Sequence, residues 1–341
     1  MAAAAQRGDG DGDGRRTTAT TAAEQDAPDS AWNRAAMAVA HGDPLCCRTE
    51  WQLSAWETMH RDFVPEITLG DGAALAFAWA RSDRVGRMLV PFEASWLFGC
   101  PLLGPGAVDL LARRLDELRR AGVRPAVLVA GLDPDGATLR ELIAATAASH
   151  EAFADEPRPQ CVASLAGGLD GFLARRSASF RRRVRPAWRR AREFGVAFER
   201  RCPTDAPAAR DVYARMCAVE ARSWKGIGDC GMTSGASLPF YGRMLERLAV
   251  GGLARVIFAV HDGRDVGFIF GGCVDGVYRG QQCSYDETWA ARSLGNVLQL
   301  EQIAWLGEGG ARRYDLGPRM PYKLRWSERQ IELQTRVLAP R

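Results

Sequence analysis

The spacing of apolar residues divides the chain into stretches of different character. Residues 1 to about 30, "MAAAAQRGDGDGDGRRTTATTAAEQDAPDS", hold almost no large apolar side chain and alternate Gly with Asp. Such a stretch cannot bury enough surface to offset the entropy of ordering, so a disordered tail is expected. From 31 to 155 the pattern is mixed. "WQLSAWETMH" has helical spacing, and "AALAFAWA" and "GRMLVPF" are strand-like runs joined by a polar turn. After a Gly/Pro loop, "AVDLLARRLDELRRAG" places Val108, Leu111, Leu115 and Leu118 on one helical face and ends on glycine. "PAVLVAGL" reads as a buried strand. This half predicts a small α/β domain with no polar cluster that suggests chemistry.

The second half, 156–341, begins with "LDGFLARRSASFRRRVRPAWRRAREFG", in which Phe172, Phe180, Val184 and Trp188 recur at helical spacing. Nine arginines and no acid lie between 171 and 192. Pro186 is expected to kink this helix or break it in two. Its arginines form either a solvated face or a platform for phosphates or RNA. Helical spacing continues over 206–224 and again over about 238–250. The period then changes. "LARVIFAV", "DVGFIFGGCV" and "VYRGQQCS" are strand-like and separated by the tight-turn signals "HDGR" and "DG", which predicts an antiparallel meander over 253–284. Alternation sends Arg279 and Gln281 to one face of the third strand and Gln282 to the other. The Arg279 face either lines a cleft or is an ordinary solvated surface. A loop, a helix from Gly295 to about Leu306, a short strand in "RRYDLG" and a last strand in "IELQTRVLA" complete the order.

Composition narrows the picture only slightly. A chain of 341 residues, 47% of them apolar, can bury two sizeable cores. The net charge of +4 names no partner, because 45 basic residues face 41 acidic ones. Only Lys225, in "RSWKGIGDCG", and Lys323, in "MPYKLRW", are lysines, and their survival in an arginine-rich chain hints at chemical need. The nine cysteines form no C-x-x-C pair, and the four histidines, at 41, 60, 150 and 261, adjoin no nucleophile motif. Free thiols, no metal site and no Ser/His triad are expected. No apolar run approaches the roughly 18 residues that span a bilayer, and the start lacks an apolar signal core, so a cytoplasmic protein is expected.

The junction that points to chemistry is a strand, a loop and then "ARSLGNVLQLEQIAWL". A helix start carries unpaired N–H groups and partial positive charge, and a glycine-containing turn entering it is a natural cradle for pyrophosphate. Here the turn is Arg292, Ser293, Leu294, Gly295 and Asn296. A meander feeding such a helix and then one further strand resembles the GNAT-type N-acyltransferases, whose Arg/Gln-x-x-Gly-x-Gly/Ala signature holds the pyrophosphate of an acyl-CoA. Val297 stands where that signature ends on a small residue. "SYD" at 284–286, the Gly-Asn helix start, "YDLG" at 314–317 and "YKLRW" at 322–326 together resemble the CelD-like acetyltransferases of this superfamily and the Fem-type aminoacyltransferases. The likeness covers about 160–335; over 31–155 it rests on the order of elements alone.

The resemblance implies an α/β (α+β) fold of tandem GNAT-like domains, each a mostly antiparallel central sheet flanked by helices. The first, 31–155, would be degenerate, and the second, 156–341, would carry the transferase. Acyl-CoA, acetyl-CoA first of all, would be the co-substrate, with no tightly bound cofactor. Acyl transfer to an amine passes through an oxyanion, so the site needs a donor aimed at that oxygen and a route for the amine's proton. By resemblance Lys323 sits beside the reacting carbonyl. Asp315 would position Lys323 or the acceptor amine, or merely cap a loop. Tyr322 would give a proton to the leaving group. Glu220, Trp224 and Lys225 would touch the acceptor, although Trp224 and Lys225 equally suit a helix end; Tyr285 and Asp286 precede the donor turn. The function implied is N-acyl transfer to an amine of a small molecule, amino sugar or envelope precursor. Transfer from aminoacyl-tRNA, the one case with a nucleic-acid partner, and a non-catalytic interaction module in polysaccharide assembly are the alternatives.

Overall fold

A computed structural model describes residues 18–39, 42–83 and 85–341. Residues 1–17 of the expected tail, and His41, lie outside the described residues. From Thr18 the chain has structure: β1 (Thr18–Thr20) pairs antiparallel with β2 (Val64–Leu69). Between them lie α1 (Ala31–Ala36), α2 (Pro44–Cys47) and α3 (Thr49–Met59). Ser30 caps α1 through Asn33 N–H, and Asp43 caps α2 ahead of Pro44, the helix-start chemistry expected of these residues.

The two halves repeat one plan. In the first, β2, β3 (Ala74–Ser82) and β4 (Gly86–Pro91) form an antiparallel meander. The short β5 (Leu102–Leu103) and α4 (Ala107–Arg120) then lead to β6 (Ala126–Leu132), parallel to β4. All four apolar residues of the α4 stripe are buried. After α5 (Ala137–Thr146), β7 (His150–Ala154) and β8 (Arg158–Ser164), the second half opens with α6 (Gly168–Ala174), α7 (Ala178–Glu193), β9 (Ala197–Arg201), α8 (Ala206–Glu220), α9 (Trp224–Ile227) and α10 (Ser237–Val250). Its meander is β10 (Ala254–His261), β11 (Arg264–Val274) and β12 (Val277–Tyr285), turned at Asp262-Gly263 and Asp275-Gly276, all four in left-handed backbone. A 3₁₀ turn (Glu287–Arg292) enters α11 (Leu294–Glu308), and β13 (Arg313–Pro318) returns parallel to β12.

One sheet joins both halves, in the order β1-β2-β3-β4-β6-β14-β8-β13-β12-β11-β10-β9. The last strand, β14 (Arg329–Pro340), is the seam. Its first part pairs with β8, its second with β6 and β7, and Leu338 sits in the first half's core. In the second half, α8 and α10 cover one face through Val212, Met216, Phe240 and Met244 against Phe258, Phe268 and Phe270. On the other face, α7 and α11 bury Ala187, Ala191, Leu294, Val297 and Leu298 against Ile257 and Ile269.

The disorder expected through about residue 30 does not hold from Thr18 on, where β1 and a 3₁₀ turn (Ala23–Gln25) form, and two further local expectations fail. Pro186 neither breaks nor ends a helix: α7 runs through it from Ala178 to Glu193. The interruption falls earlier, at Arg175–Ser177, where Ser177 caps the new helix through Phe180 N–H. Proline removes one internal bond, and the burial of Phe180, Val184, Ala187 and Ala191 on both sides of it holds the helix together. The faces of β12 also differ. Gly272 pairs with Arg279 and Phe270 with Gln282, so a bulge at Gln281 adds one residue and puts Arg279 and Gln282 on the same face.

Candidate active site

Strands β12 and β13 pair only at Val277–Arg279 with Arg313–Asp315, although β12 continues for six residues to Tyr285. Beyond Arg279 they part, leaving one edge of β12 open between a buried ionic cluster and the start of α11. The bulge at Gln281 turns β12 at the point of divergence.

At the closed end stands Asp315, fully buried on β13. Its Oδ1 accepts hydrogen bonds from Arg279 Nη1 at 2.9 Å and from Gly317 N–H at 2.8 Å, while Oδ2 has no partner among the described residues. Arg279 is buried too, 3.4 Å from Asp43 Oδ2 and 3.5 Å from Gln160 Oε1, with its guanidinium 5.0 Å from the centre of the Phe98 ring. Gly317 has φ +81°, and a Cβ there would stand 3.2 Å from Arg279 Nη2 and 3.4 Å from Lys323 Nζ. Glycine is thus needed both for the backbone and for the convergence of two cations. Burial, then the charge of Arg279, lowers the pKa of Lys323 to about 8. No described carboxylate forms an ion pair with its Nζ. Tyr322 is exposed at 57%, and partial burial pushes its hydroxyl up to about 12.

A second network lies on the same face of β12. Lys225 Nζ donates to Gln282 Oε1 at 2.8 Å, and Gln282 Nε2 donates to the Tyr241 hydroxyl at 2.7 Å. Lys225 is also 3.5 Å from Glu220 Oε1, which takes the Met232 N–H at 2.9 Å, and Ser223 Oγ donates to Glu220 Oε2. Ser223 caps α9, so the loop that presents Lys225 and the exposed Trp224 is anchored on the buried Glu220. Gln281, the bulge residue, has its Nε2 buried without a partner among the described residues.

At the open end, Ser293 starts α11 in left-handed backbone (φ 58°) and its hydroxyl does not cap the helix. The first N–H groups of this 15-residue helix therefore lack a side-chain cap. A hollow of about 470 Å³ beside them is lined by Arg190, Glu193, Phe194, Trp289, Arg292 and Ser293, among others. Arg292 rests 3.6 Å from the Phe194 ring centre. An uncapped helix start with two arginines and two aromatic rings fits a nucleotide-linked pyrophosphate. Val297 turns into the core and leaves this hollow alone. Gly295 answers to a neighbour: a Cβ would stand 2.9 Å from Tyr285 Cε1. Leu294 is buried, and Asn296 lies in the first turn.

The structure thus brings Asp315, Arg279 and Lys323 together, and Glu220 and Lys225 together. Asp286 has another task. Burial opposes its charge, but hydrogen bonds from Thr288 and Arg222 hold its carboxyl below the usual value, and it caps the 3₁₀ turn. Sequence reasoning missed Asp43, Phe98, Gln160 and Tyr241, and it singled out Arg190 only as part of the arginine run of 171–192. Asp43-Pro44 is legible as a helix start, but nothing local shows that its second oxygen meets a strand more than 230 positions away.

A meander, a helix entered through a tight turn and a parallel strand diverging from the meander make a GNAT-type acyltransferase fold, here in tandem. Residues 178–324 match the family described as acetyltransferase (GNAT) domain. Among solved structures, the chain is similar to FemX (11% identity, 94% of this chain and 96% of that one, TM-score 0.64). It is similar as well to a protein of unknown function from Bacteroides thetaiotaomicron (12%, 95% and 99%, 0.61). A third is the C-terminal domain of a protein described as a lysylphosphatidylglycerol synthetase from Agrobacterium fabrum (15%, 91% and 92%, 0.54). No curated protein matches. Residues 178–324 thus resemble a GNAT acetyltransferase domain, and the chain as a whole has a Fem-like dual GNAT fold.

Proposed function

We propose that the protein transfers an acyl group from acyl-CoA, acetyl-CoA first of all, to the amine of a small molecule or a saccharide or envelope precursor. One observation supports this: β12 and β13 stop pairing at Arg279 and Asp315, beside which Lys323 stands, while β12 continues towards the 3₁₀ turn and the uncapped start of α11. The pyrophosphate would lie at Arg292, Ser293, Leu294, Gly295 and Asn296, with Arg190 facing it across the hollow. The thioester end would then follow the open edge of β12 towards Asp315 and Lys323.

There Lys323 and Arg279 supply positive charge where the carbonyl oxygen gains negative charge, in a place largely shielded from water. The unpartnered Oδ2 of Asp315 takes the proton that the attacking amine loses as the C–N bond forms and the C–S bond breaks to release the thiolate. Tyr322, neutral at pH 7, can protonate that thiolate. Lys225, Gln282, Tyr241 and Trp224 face the acceptor side. The test is titration of purified protein with acetyl-CoA, followed by mass spectrometry of a cell extract incubated with a panel of acyl-CoA donors. Absence of binding at millimolar acetyl-CoA would sink the reading.

Transfer from an aminoacyl-tRNA is the second reading, favoured by α7, where Arg182, Arg183 and Arg190 are exposed without a carboxylate partner among the described residues. Phosphate-driven binding must weaken steeply with salt, so a tRNA shift that is absent or indifferent to salt removes it.

A further inference from the structure

We propose that Asp43, from the first half of the chain, is a positioning residue of the transfer site that acts through Arg279: by sharing the guanidinium with Asp315 it fixes where that charge stands relative to Lys323. The inference rests on the acyl-transfer reading above. Asp43 caps α2 through Oδ1, which accepts the Leu45 N–H at 3.0 Å. Capping alone does not require a carboxylate, since Asn and Ser cap as well. Yet Asp43 is buried at 2% exposure, with its other oxygen 3.4 Å from Arg279 Nη1. A second buried carboxylate on one arginine is costly: burial lifts Asp43 to about 6, against the pull of Arg279. A helix of four residues gives no reason to bear that cost.

Arg279 gives the reason. Asp315 on β13, Gln160 on β8 and Asp43 at α2 all meet Nη1 of its guanidinium, and Phe98, also of the first half, lies 5.0 Å from it. Its Nη2 lies beside Gly317, as does Lys323 Nζ: a Cβ on that glycine would stand 3.2 Å from the one and 3.4 Å from the other. The charged and titratable groups facing this pair are Asp315 on β13, Asp43 and Cys46 at α2, Cys161 on β8 and Tyr322, with Arg313 acting on Asp43. Removing the Asp43 carboxylate deletes one of the negative charges that offset Arg279, so Lys323 should release its proton more readily.

Asp43→Asn in the full chain keeps the cap and deletes the charge. Because Lys225 and Lys323 are the only lysines, competitive labelling with acetic anhydride, read by mass spectrometry, follows the Lys323 proton without any turnover. The Lys323 midpoint should fall by about one pH unit while Lys225 is unmoved. That would lower its protonated fraction at pH 8 from about a half to about a tenth, a fivefold loss of kcat largely recovered at pH 6.5. KM for acetyl-CoA should stay within about twofold. Asp43→Asn combined with Arg279→Lys should be no slower than Arg279→Lys alone, as expected of a residue acting through another. Asp43→Ser, also a good cap, should reproduce the labelling shift. An unmoved Lys323 midpoint in the folded variants would reduce Asp43 to a helix cap and overturn the proposal. A wild-type chain that labels as expected but turns over no acyl-CoA would overturn the acyl-transfer reading instead.

Discussion

Replacing Lys323 by Met should stabilise the protein while abolishing turnover. A lysine whose pKa is lowered from 10.5 to about 8 holds its charge less well in the folded chain than in the unfolded one. That difference corresponds to about 3 kcal/mol, and partial solvent exposure of the side chain reduces it to about 1–2 kcal/mol. The sign follows from linkage: the cost is complete below about pH 8, declines as pH rises from 8 towards 10.5, and vanishes above. Methionine keeps the length of the stem and cannot be charged. At about 2–4 °C per kcal/mol for a chain of this size class, Lys323→Met should melt about 2–8 °C higher at pH 7, and the advantage should fade towards pH 10.5. Turnover should drop by about 10²–10³, the usual loss of one oxyanion donor. Scanning fluorimetry across pH 6–10.5 together with a thiol-release assay reads both quantities. A variant that melts below the wild type at pH 7, or keeps more than about a tenth of its turnover, would refute the reasoning.

Other perturbations separate the parts of the site. Arg279→Met leaves Asp43 and Asp315 buried without their cation, so it should lose about 3–5 kcal/mol at pH 7. The deficit should shrink on acidification as the carboxyls take up protons, which denaturation at pH 5 and 7 would reveal. Gly295→Ala drives a methyl to 2.9 Å from the Tyr285 ring and should lose about 1–3 kcal/mol through overpacking, seen as a lower urea midpoint. Exchanging both Arg190 and Arg292 for Gln should weaken acetyl-CoA binding about tenfold and flatten its dependence on salt, with the melting temperature unchanged in the absence of donor. Wild-type kcat should be level below pH 7 and fall with a midpoint near 8 as Lys323 loses its proton.

Much of this architecture was legible in the sequence because its signals are local. The tight turns at Asp262-Gly263 and Asp275-Gly276 fixed the meander, and the α4 stripe fixed one helix. The weakest inferences came from rules that assume regularity. Strict alternation misassigned Gln282 because a single extra residue reverses the phase of everything after it. A proline was expected to kink α7 or break it in two; the break does not occur, because tertiary burial on both sides of it overrode the missing hydrogen bond. The ionic cluster was half visible. Asp315 and Lys323 lie close in sequence to one another, whereas Asp43, Gln160 and Arg279 meet only because β13 lies between β8 and β12 and because α2 packs on β11.

The repeated plan raises the question of why the proposed site lies in the second half. In both halves the third meander strand pairs in parallel with the strand after its helix for only two or three residues. In the second half the chain leaves β12 for a 3₁₀ turn outside the gap, and the edge of β12 stays open. In the first half the segment after β4 folds back instead. Phe92 and Glu93 are completely buried, and Glu93 Oε1 takes the N–H groups of Phe98 and Gly99 at 2.8 Å each. Burial raises Glu93 to about 7, so this loop is held by a costly interior carboxyl rather than left free to bind a ligand. The same fold-back delivers Phe98 onto the Arg279 guanidinium, while Asp43 arrives from the neighbouring α2. What the first half gives up as a donor site, it returns as the wall that confines the charge of the second.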